Sequence, residues 1–189
     1  MFQVVTSPSG SPMSLADAKV HLRIDHDNED AYIERLISSA WKFIENRTGI
    51  ICLDTEFALY LDQWPDSGVI YLKKKPVTEI SKVEYLATDT DTEYTELVTT
   101  KYQSDVITIP ARVRITDSPS LGDQLNAVKV TFKAGYASAS SIPENIIKAI
   151  EILIGHLYEN RQEEITGRTI SFLKKGFEYL LSNDELVTA

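Results

Sequence analysis

One cysteine, three histidines, eight glycines and seven prolines are spread through this 189-residue chain, so the residue types that most often carry cross-links, metals or phosphate-binding loops are scarce. A lone thiol cannot form an intramolecular disulfide or build a cysteine zinc site. Cys52 lies in the apolar run Ile50-Ile-Cys-Leu53 and reads as a small buried hydrophobe, not a nucleophile. Basic residues are also in deficit: 19 Lys and Arg stand against 28 Asp and Glu, a formal net charge of −9. A chain with that balance does not hold nucleic acid by neutralising phosphates, which needs a basic face. Long apolar runs are missing. The longest candidate, Ile146 to Tyr158, is interrupted by Lys148, Glu151 and His156, short of the roughly 18 apolar residues that would suggest a membrane span, so no membrane partner is expected. Met1-Phe-Gln-Val-Val has neither the basic start nor the apolar stretch of a secretory leader, and none is expected. There is no Gly-x-Gly-x-x-Gly, no phosphate-binding loop ending in Lys-Ser/Thr and no Gly-x-Ser-x-Gly elbow. His21, His26 and His156 have no Cys, Asp or Glu at a spacing that specifies a metal. No catalytic, cofactor-binding or metal-binding residue is nominated, and no cofactor is expected.

Two helical blocks are present, about a hundred residues apart. In the first, Ser14 is placed as an N-cap with Asp17 in the capping-box role, and Leu15, Ala18 and Leu22 form one face of a short helix ending near Arg23. Asp27 is the expected cap of the next helix, with Glu29 and Asp30 in its first turn, where the helix dipole favours negative charge. Ile33, Leu36, Ile37, Ala40 and Ile44 then recur at three- and four-residue steps, and Gly49 fits a left-handed stop. In the second block, Ser141 as cap, Pro143 at the start and Glu144 open a long helix striped by Ile146, Ile150, Leu153 and Leu157 and widened by Ile147 and Ile154. A short final helix is expected over 171–181, after a polar stretch that starts at Asn160.

Between the blocks the period falls to two. Strands are expected over 57–61, 69–72, 80–86, 94–98, 106–109, 113–115 and 128–132, separated by turn formers such as Asp66-Ser-Gly68, Pro76 and Asp117-Ser-Pro119. No helical crossover supports a parallel sheet, so an antiparallel meander, sandwich or small barrel is expected. The fold class is therefore α+β: a helical core over 1–49 and 137–189 with an antiparallel β-rich insertion over 50–136. Residues 1–13 read as an extended arm, ordered only if something holds it.

The remaining clusters have ordinary explanations. An EF-hand loop starting at Asp25 would need Gly at its sixth position and Glu at its twelfth; Asp30 and Leu36 stand there. Lys73-Lys-Lys75 precedes Pro76 and reads as a solvated strand end. The aromatics Phe57, Tyr60, Trp64, Tyr71, Tyr85, Tyr94, Tyr102 and Phe132 are interleaved with acids at least as often as with bases, which favours cross-strand packing over base stacking.

Five runs in two blocks together carry a resemblance. Ser14-Leu-Ala-Asp-Ala-Lys-x-His-Leu-Arg-Ile-Asp, with Asp30-x-x-Ile-x-x-Leu-Ile-x-x-Ala and Glu45-x-Arg-Thr-Gly49, is the first block. Val130-Thr-Phe-Lys-Ala-Gly-Tyr136 and the run from Pro143 to Tyr158-Glu-Asn-Arg161 form the second. In this order and spacing they resemble the head–tail connector (adaptor) proteins of tailed bacteriophages, in the form with a long insertion. The resemblance implies a virion structural protein, made in the bacterial cytoplasm, without enzymatic activity. It implies a homo-oligomeric ring, twelve-fold by the resemblance, below the portal protein, which extends the DNA channel and offers a surface to the tail or stopper protein. DNA would pass through without specific binding. Ile146, Ile150, Leu153, His156, Leu157 and Tyr158 are the candidate interface residues, and Asp25, Asp27, Glu29 and Asp30 the candidate lumen-facing acids. The short basic end of the family after the last helix is not visible in Asn183-Asp-Glu-Leu-Val-Thr-Ala189. An alternative is a tail-side or head-completion protein of a phage or prophage, linked to DNA packaging. A further alternative, an enzyme acting on the cell envelope or nucleic acid, would need a cleft of convergent titratable groups.

Overall fold

The computed structural model describes residues 1–161, which form three α-helices and eight β-strands of an α+β fold. The expected final helix at 171–181 lies outside the described residues. Two compact units divide the described residues: 1–8 with 54–135, and 9–53 with 136–161.

The helical unit contains α1 (Leu15–Leu22), α2 (Asp30–Thr48) and α3 (Glu144–Glu159). Ser14 caps α1 as expected: its Oγ accepts the Asp17 N–H at 3.1 Å and its hydroxyl donates to the Asp17 carboxylate. Arg23 ends α1 in the left-handed region at φ 59°, and Gly49 ends α2 at φ 73° with its N–H on the Glu45 carbonyl. The two other expected caps are corrected. The residue before α2 is Glu29, which makes no side-chain cap bond, while Asp27 takes the Lys19 ammonium at 2.6 Å instead. Ser141 lies in a short 3₁₀ turn, its hydroxyl 2.9 Å from that of Ser138, and Pro143 precedes α3 with no side-chain cap. The stripe of α2 packs with Ala18, Ile146, Ala149, Ile150, Leu153 and Ile154 in one buried cluster, joined by Cys52. Thr48 is also buried; its hydroxyl donates to the Ile44 carbonyl and accepts the Ile50 N–H, so the helix end carries no orphan group there.

The strand unit contains β1 (Phe2–Thr6), β2 (Thr55–Leu61), β3 (Val69–Leu72), β4 (Val77–Tyr85), β5 (Thr95–Glu96), β6 (Tyr102–Asp105), β7 (Ala111–Ile115) and β8 (Val128–Ala134). Every pairing is antiparallel. The topology is not a meander: one sheet runs β1-β2-β8-β4-β5 and a second runs β3-β7-β6. The last strand, β8, takes the centre of the five-stranded sheet. Val128, Val130, Phe132 and Ala134 are buried on one face and Thr131 on the other. Phe57 and Phe132 are register partners, with ring centroids 5.7 Å apart, and Phe2 meets Phe132 edge-on at 6.1 Å. The N-terminal arm is thus an edge strand, held by the register Phe2 to Leu59 and Val4 to Phe57.

One expected strand is not a strand. At 106–109 the Asp105 carboxylate accepts the N–H groups of Ile107 and Thr108 at 3.0 and 3.2 Å and the Thr108 hydroxyl at 2.9 Å. This aspartate-centred turn outcompetes the β propensity of Val106, Ile107 and Ile109, leaves Ile107 90% exposed and places the strand at 102–105.

Candidate functional site

Within the helical unit the polar side chains form three small networks. Lys19 on α1 bridges Asp27 at 2.6 Å and Asp30 at 2.8 Å. The Asp27 bond, then the Asp30 bond, raise the Lys19 pKa above its usual value, and Lys19 lowers that of Asp27. His21 faces Glu151 at 3.7 Å, and Lys148 holds the same carboxylate at 2.7 Å. These groups rim a groove lined also by Met13, Val20 and Ile147.

The third network joins the start of α2 to the end of α3. Glu29 accepts a short hydrogen bond from the Tyr158 hydroxyl and a 2.5 Å bond from Arg161. The guanidinium lies over both neighbouring rings, 4.7 Å from Tyr32 and 4.8 Å from Tyr158. The Tyr158 bond, then the Arg161 bond, hold the Glu29 carboxyl below its ordinary range, while Glu29 raises the Tyr158 phenol and the Arg161 guanidinium. Such a clamp ties the end of α3 to the start of α2.

In the strand unit, the face of the five-stranded sheet opposite Phe132 carries a ladder of charges. Glu79 meets Lys133 at 3.1 Å, and Glu84 meets Lys129 at 3.0 Å and Lys82 at 3.3 Å. Lys129 lies 5.2 Å from the Tyr94 ring, whose hydroxyl donates to the Asn126 carbonyl at 2.7 Å. Glu79 with Lys133 and Glu84 with Lys129 are cross-strand pairs on one face of the sheet. Lys74 of the basic run sits over the Phe2 and Phe57 rings at 5.8 and 5.7 Å.

The nominated residues are separated by this geometry. Ile146, Ile150 and Leu153 are buried in the core of their own unit and are not surface, because α1 and α2 supply enough apolar area to cover that stripe. His156, Leu157 and Tyr158 are half-buried, with His156 Nδ1 3.1 Å from the Asn160 amide. Of the acids, Asp27 and Asp30 share Lys19 and Glu29 is clamped; Asp25 is exposed and makes no ion pair among the described residues. Cys52 is fully buried, and burial pushes its thiol up to about 12, with Glu45 adding to the shift. Lys19, Tyr32 and Arg161 are the organising residues that the sequence did not nominate. The signal for Arg161 was present in the Tyr158-Glu-Asn-Arg161 ending, without a partner to give it meaning. Among the described residues no cluster of His, Cys, Asp and Glu could hold a metal ion, and no helix is long and apolar enough to cross a membrane.

Residues 12–116, more than half of the chain, match the family described as phage gp6-like head-tail connector protein. The chain belongs to this family. As a head–tail connector it is a structural component of the virion. Solved structures share its fold. A chain in the neck of an empty gene transfer agent particle, resolved with six-fold symmetry, is similar over 100% of this chain and 97% of its own, with a TM-score of 0.82 at 23% identity. A chain from the virion of a native gene transfer agent particle gives 0.83 at 23% identity with the same coverage. One from the native neck, resolved with twelve-fold symmetry, gives 0.73 at 21%. No curated protein matches the sequence.

Proposed function

We propose that this connector assembles as a closed ring of identical subunits at the junction of head and tail, seated on the portal protein and presenting its far side to the tail or stopper protein. The observation that carries the reading is the family match through the first helical block and most of the strand unit, combined with end-to-end likeness to chains from particle necks resolved with six- and twelve-fold symmetry. A ring of either order needs two different complementary faces on each subunit. A net charge of −9 repeated around the channel discourages DNA from adhering as it passes. Asp25 is the first-block acid best placed to contribute that field, since Asp27, Glu29 and Asp30 are held by cations. The role requires positioning and no reaction chemistry.

Deletion of the gene tests this. DNA-filled heads that retain portal and lack tails are expected, with tailed infectious particles restored by complementation. Normal tailed particles without the protein refute the reading. Recovery of the protein on free tails, with none on heads, shifts it to the tail side.

A further inference from the structure

The exposed side of α2 carries Arg35 and Lys42 along its midline, with the acid Glu34 at one edge. Ala31, Arg35, Ser39, Lys42 and Asn46 are all exposed and fall at steps of four, four, three and four, so they form the midline of the helix face opposite the buried stripe. Arg35 and Lys42, about 10 Å apart along the axis, make no ion pair among the described residues. Phe43 beside them is 51% exposed. An exposed aromatic beside an arginine is a combination enriched in protein interfaces.

The acids that would complement this face lie in the strand unit. Residues 86–98 carry Asp89, Asp91, Glu93 and Glu96 without one base. The loop at 121–126 closes against them: the Asp123 N–H donates to Asp89 at 2.7 Å and the Gln124 amide to the Thr88 carbonyl at 2.6 Å. Asp62 joins by accepting the Asn126 N–H at 2.8 Å. Arg35 and Lys42 make no ion pair among the described residues, and the Asp89–Glu96 segment is complementary to them in charge. We infer that the Arg35–Lys42–Phe43 face of one connector docks on the acidic Asp89–Glu96 lobe of a second copy, as one of the two unlike faces of the ring. This rests on the ring reading above. Charge complementarity favours a second copy over DNA, because the chain as a whole repels phosphate.

The test measures association of the purified full-length protein, alone and with portal protein from the same genome, by sedimentation velocity and electron microscopy at low and high salt. Arg35→Glu with Lys42→Glu is expected to weaken association by about tenfold or more and to remove its salt dependence. Adding Glu93→Lys with Glu96→Lys to the same chain is expected to restore it. Both exchanges are at exposed positions, and thermal melting confirms that each variant folds. Rings that form equally well with Arg35→Glu and Lys42→Glu overturn this face and leave the ring reading standing. A wild-type chain that never associates, with or without portal, overturns both. Duplex DNA binding that Arg35→Glu and Lys42→Glu abolish, with self-association unchanged, assigns the face to nucleic acid and also overturns the inference.

Discussion

Ile150→Ala separates two uses of the α3 stripe, core and ring contact. Ile150 is 0% exposed and sits in the cluster that joins all three helices. The exchange removes three carbon atoms. At about 0.8 kcal/mol for each buried methylene-sized group, the transfer loss is roughly 2.4 kcal/mol. The residual cavity adds to this, and measured Ile-to-Ala losses in cores reach about 2–5 kcal/mol. Alanine is the best helix former, so no loss of helix propensity enters. For a unit of this size each kcal/mol lowers the melting temperature by about 4–8 °C, so a fall of at least about 8 °C is expected in calorimetry or circular dichroism. Leu157→Ala, at a half-buried position on the same helix, is expected to fall less. The reasoning fails if Ile150→Ala melts within a degree or two of wild type yet abolishes association, because the stripe would then serve the neighbour and not the core.

Glu29→Gln breaks the clamp on Tyr158 and Arg161. The folded-state pKa of Glu29 lies below its ordinary value, so its contribution is fully present above about pH 5 and is lost as the pH falls through the lowered value. The urea midpoint of the wild type is therefore expected to drop more between about pH 5 and pH 3 than that of Glu29→Gln; parallel curves refute the clamp. Gly122→Ala would place a Cβ 2.3 Å from the Thr88 carbonyl carbon and 2.7 Å from the Asp89 nitrogen, so the acidic lobe must move. A loss of about 1–3 kcal/mol is expected in denaturant unfolding, and unchanged stability would mean that the two loops are not in contact. Cys52, buried with its thiol pushed up to about 12, is expected to react with a thiol reagent only after unfolding in urea; prompt reaction in the native protein contradicts its burial.

The helices were legible because their period is local. Ile33, Leu36, Ile37, Ala40 and Ile44 declare one face within three turns, and Gly49 marks the stop. The sheet order was not, since a two-residue period shows that β8 is a strand without naming β2 and β4 as its neighbours. The segment 106–109 misled because its apolar residues carry strand propensity, while the deciding group, the Asp105 carboxylate, lies one residue outside it. The acids at 25–30 were legible as a cluster but not as a network. Lys19 is on another helix, and Arg161 lies 132 residues from Glu29, so no local spacing could show that three of the four carboxylates are held by cations. The α3 stripe was visible as a wide apolar face; only packing shows how much of it α1 and α2 cover.

The ring is tested most directly by imaging the purified protein mixed with the portal protein of the same genome. Closed annuli coaxial with the portal, with an open central channel and one consistent copy number, are expected. Single or scattered copies on the portal, or none at any concentration, would contradict a connector that works as a ring.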